Sequence, residues 1–487
     1  MRPAEPGRGD GATTLTRVTG HTRRTKIVAT IGPASANPAT VSALIEAGMD
    51  GARLNLSHGT QDDHARTAQL VRDAEAAAGR PISLIADLQG PKLRVGDLDH
   101  EVELEDGGSV VIAGEDAAQD GDIPVSPAVL GSVLQPGNDV LIDDGMVRLR
   151  VDRVERGRAR CDVVVGGTVA AHKGVNVPGI PLPIPSLTRK DLDDLDAALE
   201  FGVDFVALSF VRSASDVTAL RTLIEARGSH AWVIAKIEKA EAVAALDAIL
   251  GEAHGVMVAR GDLGVEIGAA EVPLLQKRII HHALERSKPV ITATQMLESM
   301  IHSPEPTRAE ASDIANAILD GTSAIMLSGE TAIGEHPVEA VAVMDRIALA
   351  VEPHLGYRHE TPQASDQPTI DQAMSNAACD VAEALSASAI LVPTFTGRTA
   401  SAVARLRPQR AILALTHNMD SLRHLALEWG VTPLEITETT DVEDLWTRSI
   451  AAARDSGLVS SGERIVITAG TAVNLPGGTN VIKVDLA

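Results

Sequence analysis

Runs of consecutive apolar residues alternate along this chain with segments whose apolar positions recur at helical spacing. Ile27–Ile31, GARLNL over Gly51–Leu56 and PISLIADL over Pro81–Leu88 each predict a strand. Helices are expected between them, from about Pro38 to Ala47 and Asp62 to Ala78. Strands that are apolar on both faces belong to parallel sheets covered by helices. At Gly90 the pattern changes. From there to about Pro185, short runs such as VLIDDGMVRLRVDRV and ARCDVVVGG alternate apolar with polar residues between Gly and Asp turns. That pattern predicts an antiparallel β domain, a small barrel, which the proline-bearing VNVPGIPLPIPS leaves as a stiff hinge.

The first pattern then returns. Thr188 and Asp191 form a capping box that opens a helix with Leu192, Leu195 and Leu199 inward. Further strands are predicted over Asp204–Phe210, Trp232–Ile237, Gly255–Ala259, Pro289–Thr294 and Ser323–Leu327. Val243, Leu246, Ile249 and Leu250 mark a helix after the second of these, and a box of Thr307 and Glu310 caps the helix before the last. Eight strands, each followed by a helix, predict an α/β fold, a (β/α)8 barrel with the β domain inserted after its third strand. The expected boundaries are 23–90 and 187–360 for the barrel and 91–186 for the insert. Beyond Thr361 a third, α/β domain follows to residue 487, with a helix over Asp371–Leu385, a strand over Ala389–Val392, and Trp429 and Trp446 in its core. Residues 1–22, basic and bearing Gly and Pro, are expected to form a disordered tail.

Polar residues fall at the C-terminal ends of the barrel strands, the face where such barrels carry their chemistry. They are Asn55 and Ser57, Asp87, Lys236 and Glu238, Asp262, Thr294 and Gln295, and Ser328 and Glu330. Neighbouring parallel strands that end in Glu238 and Asp262 could share one hard divalent cation with Lys236 beside it. Two carboxylates leave positions open for water and substrate oxygens, as Mg2+ prefers. That set suits a phosphorylated or enolate-forming substrate. Two solvated loop carboxylates and a surface lysine would leave the same pattern, so spacing alone does not decide.

Composition narrows the partners. Lys plus Arg number 43 against 66 Asp plus Glu, a net charge of −23, which disfavours nucleic acid and anionic membranes as general partners. No apolar run approaches a membrane span. The two cysteines, Cys161 and Cys379, lie far apart and provide no disulfide framework, which fits a reducing cytoplasm.

Long ordered motifs then bring a resemblance. TKIVATIGPAS, ARLNLSHG, HKGVNVPG, IAKIEKAEAV, MVARGDLGVEI, TATQMLESM and PTRAEASDIANAILDGTSAIMLSGETA are similar to the pyruvate kinases, and the match runs through almost everything after Lys26. The resemblance implies a glycolytic phosphotransferase that moves a phosphoryl group from phosphoenolpyruvate to ADP, giving pyruvate and ATP. It implies that Lys236 bridges the migrating group and then steadies the enolate. Glu238 and Asp262 would hold Mg2+, with Mn2+ as the alternative. The backbone of Ala259, Arg260, Gly261 and Asp262 would bind the substrate carboxylate at a helix N-terminus, and Arg53 and Arg94 would neutralise phosphate. Thr294, backed by Ser328 and Glu330, would deliver a proton through water. Thr30, Asn55, His58, Arg94 and Lys173 resemble nucleotide contacts, Lys173 from a closing lid. A homotetramer is implied on the same ground.

One segment departs from the family. Potassium-requiring members read roughly Asp-Thr-Lys-Gly-Pro-Glu after the third strand, whereas this chain reads Asp87-Leu88-Gln89-Gly90-Pro91-Lys92. Asn55, Ser57 and Asp87 still resemble the monovalent-cation ligands. Lys92 would supply the missing charge, so activity without K+ is expected. In the third domain, Thr394, Thr396, Gly397, Arg398 and Thr399 resemble the effector loop. Phe395 stands where some relatives carry Lys, and Gly470–Asn480 contains no Arg, Lys or Trp, so a hexose monophosphate or AMP is expected as allosteric effector rather than a bisphosphate. Two rivals stand beside this reading: a barrel lyase or aldolase working on pyruvate enolate, and a catalytically idle metabolite sensor.

Overall fold

A computed structural model describes residues 23–355, 369–470 and 478–487. The tail expected over 1–22, the junction near 361 and most of the 470–480 loop lie outside the described residues. Eight parallel strands close a barrel in sequential order. They are β1 (Lys26–Thr30), β2 (Gly51–Asn55), β3 (Ser83–Asp87), β4 (Phe205–Leu208), β5 (Trp232–Ile237), β6 (Gly255–Ala259), β7 (Val290–Ala293) and β8 (Ala324–Leu327). β1, β3, β4 and β6 to β8 are buried at every residue, the reason they read as unbroken apolar runs. Inside the barrel pack Val28, Ile85, Phe205, Ile234, Met257 and Met326. Both expected capping boxes form, Thr188 with Asp191 and Thr307 with Glu310. The helix marked by Val243 to Leu250 is broken into Ala240–Ala244 and Leu246–Glu252, with all four marker residues buried.

The insert closes into a separate seven-stranded barrel. Its strands are not all antiparallel as expected, for Ser109–Gly114 and Ile123–Ser126 run parallel. Alternation tells which face of a strand is buried and carries no information on direction, so the sequence could not reveal this. The proline-bearing exit is clamped to the large barrel, where Arg212 donates to the carbonyls of Leu182 and Ile184 at 2.7 Å each.

The third domain is a five-stranded sheet, parallel but for its last strand, Thr479–Leu486. It seats against the N-terminal end of the large barrel. The Lys26 ammonium donates to the Val431 carbonyl at 2.8 Å, and Arg423 grips Glu75 through two bonds of 3.0 and 2.8 Å. Leu427 enters the barrel-interior cluster, and a Cβ at Gly51 would lie 2.9 Å from it. Trp429 corrects an expectation: it is buried at this junction with the Arg407 guanidinium 4.4 Å from its ring centre, rather than within the domain's apolar core. Trp446 does pack against that core.

Candidate active site

β5 carries the centre. Its alternation turns Lys236 into the barrel mouth, where the side chain is almost wholly buried. Its ammonium donates to Ser209 Oγ at 2.7 Å and forms ion pairs with Glu238 Oε1 at 2.9 Å and Asp87 Oδ1 at 3.2 Å. Burial works against this charge, but Asp87 and Glu238 outweigh it and raise the lysine pKa above its ordinary value. Asp87 in turn accepts from Arg53 Nε at 2.7 Å, and Arg53 Nη1 reaches Thr30 Oγ1 at 3.0 Å. A chain of alternating charge therefore crosses the mouth from β2 to β5. Burial alone would raise the pKa of Asp87, yet Lys236 and Arg53 together hold it below the carboxylate range.

Glu238 is 1% exposed. Oε2 accepts the Phe210 N–H at 2.7 Å, while Oε1 has only the Lys236 charge beside it and no hydrogen bond of proper geometry. Burial pushes the Glu238 pKa up, Lys236 offsets part of that, and the Asp262 carboxylate adds to the rise. A buried, incompletely satisfied carboxylate beside a second carboxylate offers the oxygen donors that a hard divalent cation takes. Asp262 lies in the first turn of the helix Arg260–Ile267, half-buried, with Lys92 Nζ 3.4 Å from its Oδ1. Among the described residues no group of three or more acidic, His or Cys side chains is gathered to hold a metal, so a cation here would take its remaining ligands from water and substrate.

β7 ends in a strained turn. Thr294 and Gln295 have φ of 69° and 54°, left-handed values that a β-branched threonine adopts only when its surroundings impose them. Arg260 imposes them. It donates to the Thr294 and Gln295 carbonyls at 2.7 and 3.1 Å while anchored on Asp313 at 2.6 Å. The turn aims the Thr294 hydroxyl at the helix start, where it accepts the Gly261 N–H at 2.8 Å and donates to the Ala293 carbonyl at 2.6 Å. The Arg260 side chain thus shapes the site, and only its backbone belongs to the helix N-terminus. Glu330, fully buried, spends both oxygens on backbone, accepting from Leu297 N at 3.0 Å and Ser328 N at 2.7 Å. It braces the neighbouring loops and makes no bond to Thr294.

The expected nucleotide contacts are spread wider. His58 is exposed, and its pKa is lowered by partial burial and by Arg94, Arg53, Lys190 and Lys92 around it. Arg94 donates to the His172 carbonyl at 3.1 Å and Lys173 pairs with Asp143 at 3.0 Å, both partners being residues of the insert. Both side chains are thus held by the insert, while Arg94 also shares the surroundings of His58 with Arg53 and Lys92. Asn55 Oδ1 accepts the Ser57 N–H at 3.3 Å. In the third domain Gly397, φ 83°, caps Arg398–Ala404, its N–H bonded to Thr394 Oγ1 at 3.0 Å, with Arg398 exposed and Thr399 2.7 Å from the Thr479 hydroxyl. Ser209 and Phe210 were assigned no role from sequence. They follow β4 in FVALSF, and the available signal was a hydroxyl after a fully buried strand.

Comparison with known proteins decides the family. A model described as pyruvate kinase, barrel domain, matches residues 22–341, and one described as pyruvate kinase, alpha/beta domain, matches 372–485. The chain is 45% identical to a pyruvate kinase of Geobacillus stearothermophilus over 95% of its own length and 80% of the relative's. It is 43% identical to that of Corynebacterium glutamicum over 95% and 98% of the two chains. The chain belongs to the pyruvate kinase family. Membership carries the phosphotransferase reaction that turns phosphoenolpyruvate into pyruvate, and it sets aside the lyase and the idle sensor. Pyruvate kinases use a divalent metal, and Glu238 with Asp262 fits that need on the unsatisfied, ionisation-resisting Oε1 described above. No helix among the described residues is long and apolar enough to cross a membrane.

Proposed function

We propose that phosphoenolpyruvate binds at the mouth of the large barrel with its phosphate against Arg53 and Lys236 and its carboxylate at the N-terminal backbone of the helix Arg260–Ile267, on the Asp262 N–H beside the Gly261 N–H that Thr294 holds. The observation that carries this reading is the Lys236 ammonium, buried, hydrogen-bonded to Ser209 and flanked by the carboxylates of Asp87 and Glu238. Glu238 and Asp262 would hold Mg2+ or Mn2+, which supplies Lewis-acid polarisation of substrate oxygens when bound. As the ester bond to phosphorus breaks, its electron pair stays on the enol oxygen. Lys236 stabilises that charge while the phosphoryl group passes to the terminal oxygen of ADP. A proton then reaches the enolate carbon. Thr294 is too weak an acid to act alone and its own hydrogen lies on Ala293, so the hydroxyl orders a water chain, with Ser328 and Glu330 setting the loop behind it. Thr30, Asn55, His58, Arg94 and Lys173 would meet the nucleotide, the last two as the insert closes over the site. Formation of pyruvate and ATP from phosphoenolpyruvate, ADP and Mg2+ by the purified protein tests this directly, and no turnover would overturn it.

Potassium independence belongs to the same proposal. Asp87 has both oxygens engaged by Arg53 and Lys236, and Lys92 already places a positive charge beside Asp262. Little unbalanced negative charge is left near Asn55, Ser57 and Asp87 for K+ to neutralise. The enzyme is expected to turn over fully in potassium-free buffer, and Lys92→Glu to make the rate depend on added KCl. Strict K+ dependence of the unaltered enzyme would sink the idea.

We assign the loop Thr394, Thr396, Gly397, Arg398 and Thr399 to an allosteric effector, a hexose monophosphate or AMP, on its hydroxyls and exposed Arg398 and on the lack of a second basic partner in 470–480. Titration is expected to show either monophosphate binding more tightly than fructose 1,6-bisphosphate; the reverse order would refute it. A homotetramer working in glycolysis in the cytoplasm completes the proposal, on the family's habits alone.

A further inference from the structure

We propose that Ser209 is a positioning residue for the phosphoryl-transfer step, holding the Lys236 ammonium in place and tying it to the segment that leads into the insert. The inference rests on the role given above to Lys236. An ammonium has hydrogens but no lone pair, so the Ser209 oxygen accepts from Lys236 at 2.7 Å, and its own hydrogen goes to the Leu88 carbonyl at 2.7 Å. Ser209 is 2% exposed, so both bonds are shielded from bulk water.

The other two partners of Lys236 have further work. Asp87 also holds Arg53, and Glu238 Oε1 is the oxygen a metal would draw away. Were Glu238 to serve a cation, the lysine would be left with Ser209 and the shared Asp87. Ser209 has no other cation to serve, and it keeps the ammonium from following Glu238. The adjoining residue fixes that carboxylate. Phe210 adopts φ of 55° and gives its N–H to Glu238 Oε2 at 2.7 Å, so two consecutive residues just after β4 set the lysine and the metal carboxylate relative to each other. Gly90, φ 69°, is pressed against the same pair. A Cβ there would lie 2.8 Å from the Phe210 ring and 3.0 Å from Ser209 Cβ. Leu88 to Gly90 is the strap by which the chain enters the insert, so its position and that of the lysine are coupled through one hydroxyl.

Ser209→Ala and Ser209→Cys keep the side chain small and remove a good acceptor, giving two independent chances of a folded variant. Both are expected to lower kcat by about 10- to 100-fold, the cost of a reacting group held out of line. The KM for ADP and the dissociation constant for Mn2+ should stay near those of the parent enzyme, because Phe210 still holds Glu238 through backbone, and Tm should move by only a few degrees. A kcat near that of the parent in either folded variant would overturn the inference. So would a loss of kcat matched by an equal loss of Mn2+ affinity, or unfolding of both variants, since each marks a general structural role. Lys236→Met measured alongside separates the two claims. Activity in that variant would remove the reading on which this rests, whereas an inactive Lys236→Met beside a fully active Ser209→Ala would remove only the role of Ser209.

Discussion

Lys236→Met is expected to lower kcat by about 10³-fold or more, at or beyond the upper end of what one preorganised donor contributes to a developing oxyanion. Methionine fills nearly the same volume, so the loss reports charge and not a cavity. The charge is missed most when the ester bond to phosphorus has broken and the enol oxygen carries its electron pair. The KM for ADP should change far less, because none of the three groups around the ammonium, Ser209, Glu238 and Asp87, belongs to the proposed nucleotide contacts. Steady-state kinetics at saturating Mg2+ would check this. A variant with more than a tenth of the parent kcat would show that Lys236 is only a structural ion-pair partner.

The same substitution has a consequence for stability. Asp87 has a depressed folded pKa, since Lys236 and Arg53 outweigh its burial. A carboxylate of that kind contributes stability above its unfolded pKa of about 3.9, and the contribution is lost as pH falls through the folded value. Without Lys236 only Arg53 is left to oppose burial, so the contribution at neutral pH shrinks and the variant should unfold at a higher pH on acid titration.

Much of this architecture was legible because it is written in local pattern. The strand GVMVA is buried on both faces and has no alternative period, and Thr188 with Asp191 announces a helix start by hydrogen bonds that need no tertiary contact. What escaped was set by partners distant in sequence. Trp429 looked like a core residue, and only the packing of Arg407 against the barrel places it at a junction. The motif places Glu330 behind Thr294, but that its two oxygens take the Leu297 and Ser328 amides is set by the fold. Ser209 gave almost no signal, because a serine after a buried strand becomes a lysine ligand only when β3, β4 and β5 stand side by side. The parallel pair in the insert was hidden for the same reason, as burial period is blind to strand direction.

Glu238→Gln separates the cost of building the site from its use. Burial and the nearby Asp262 hold the Glu238 pKa above its ordinary value despite Lys236. A carboxyl with a raised folded pKa adds stability that is fully present below its unfolded pKa and is lost as pH rises through the folded one. At neutral pH without metal the ionised side chain is therefore a liability, and a neutral amide of the same shape removes it. In chelator the variant is expected to melt at or above the parent Tm. Added Mg2+ should raise the Tm of the parent, by mass action on the folded state, and leave the variant nearly unmoved. Catalysis should go the other way, with kcat/KM for phosphoenolpyruvate down about 100-fold or more as the cation loses one of its two protein ligands. The activating Mg2+ concentration of the parent should also climb as pH falls, since proton and metal compete for the same oxygen. Calorimetric melts with and without MgCl2, beside the rate assay, settle the point. A variant that still gains stability from Mg2+ and still turns over would place the cation elsewhere. A variant that melts well below the parent in chelator would mean that Glu238 stabilises the mouth of the barrel through Lys236, and that the site was not built at a cost.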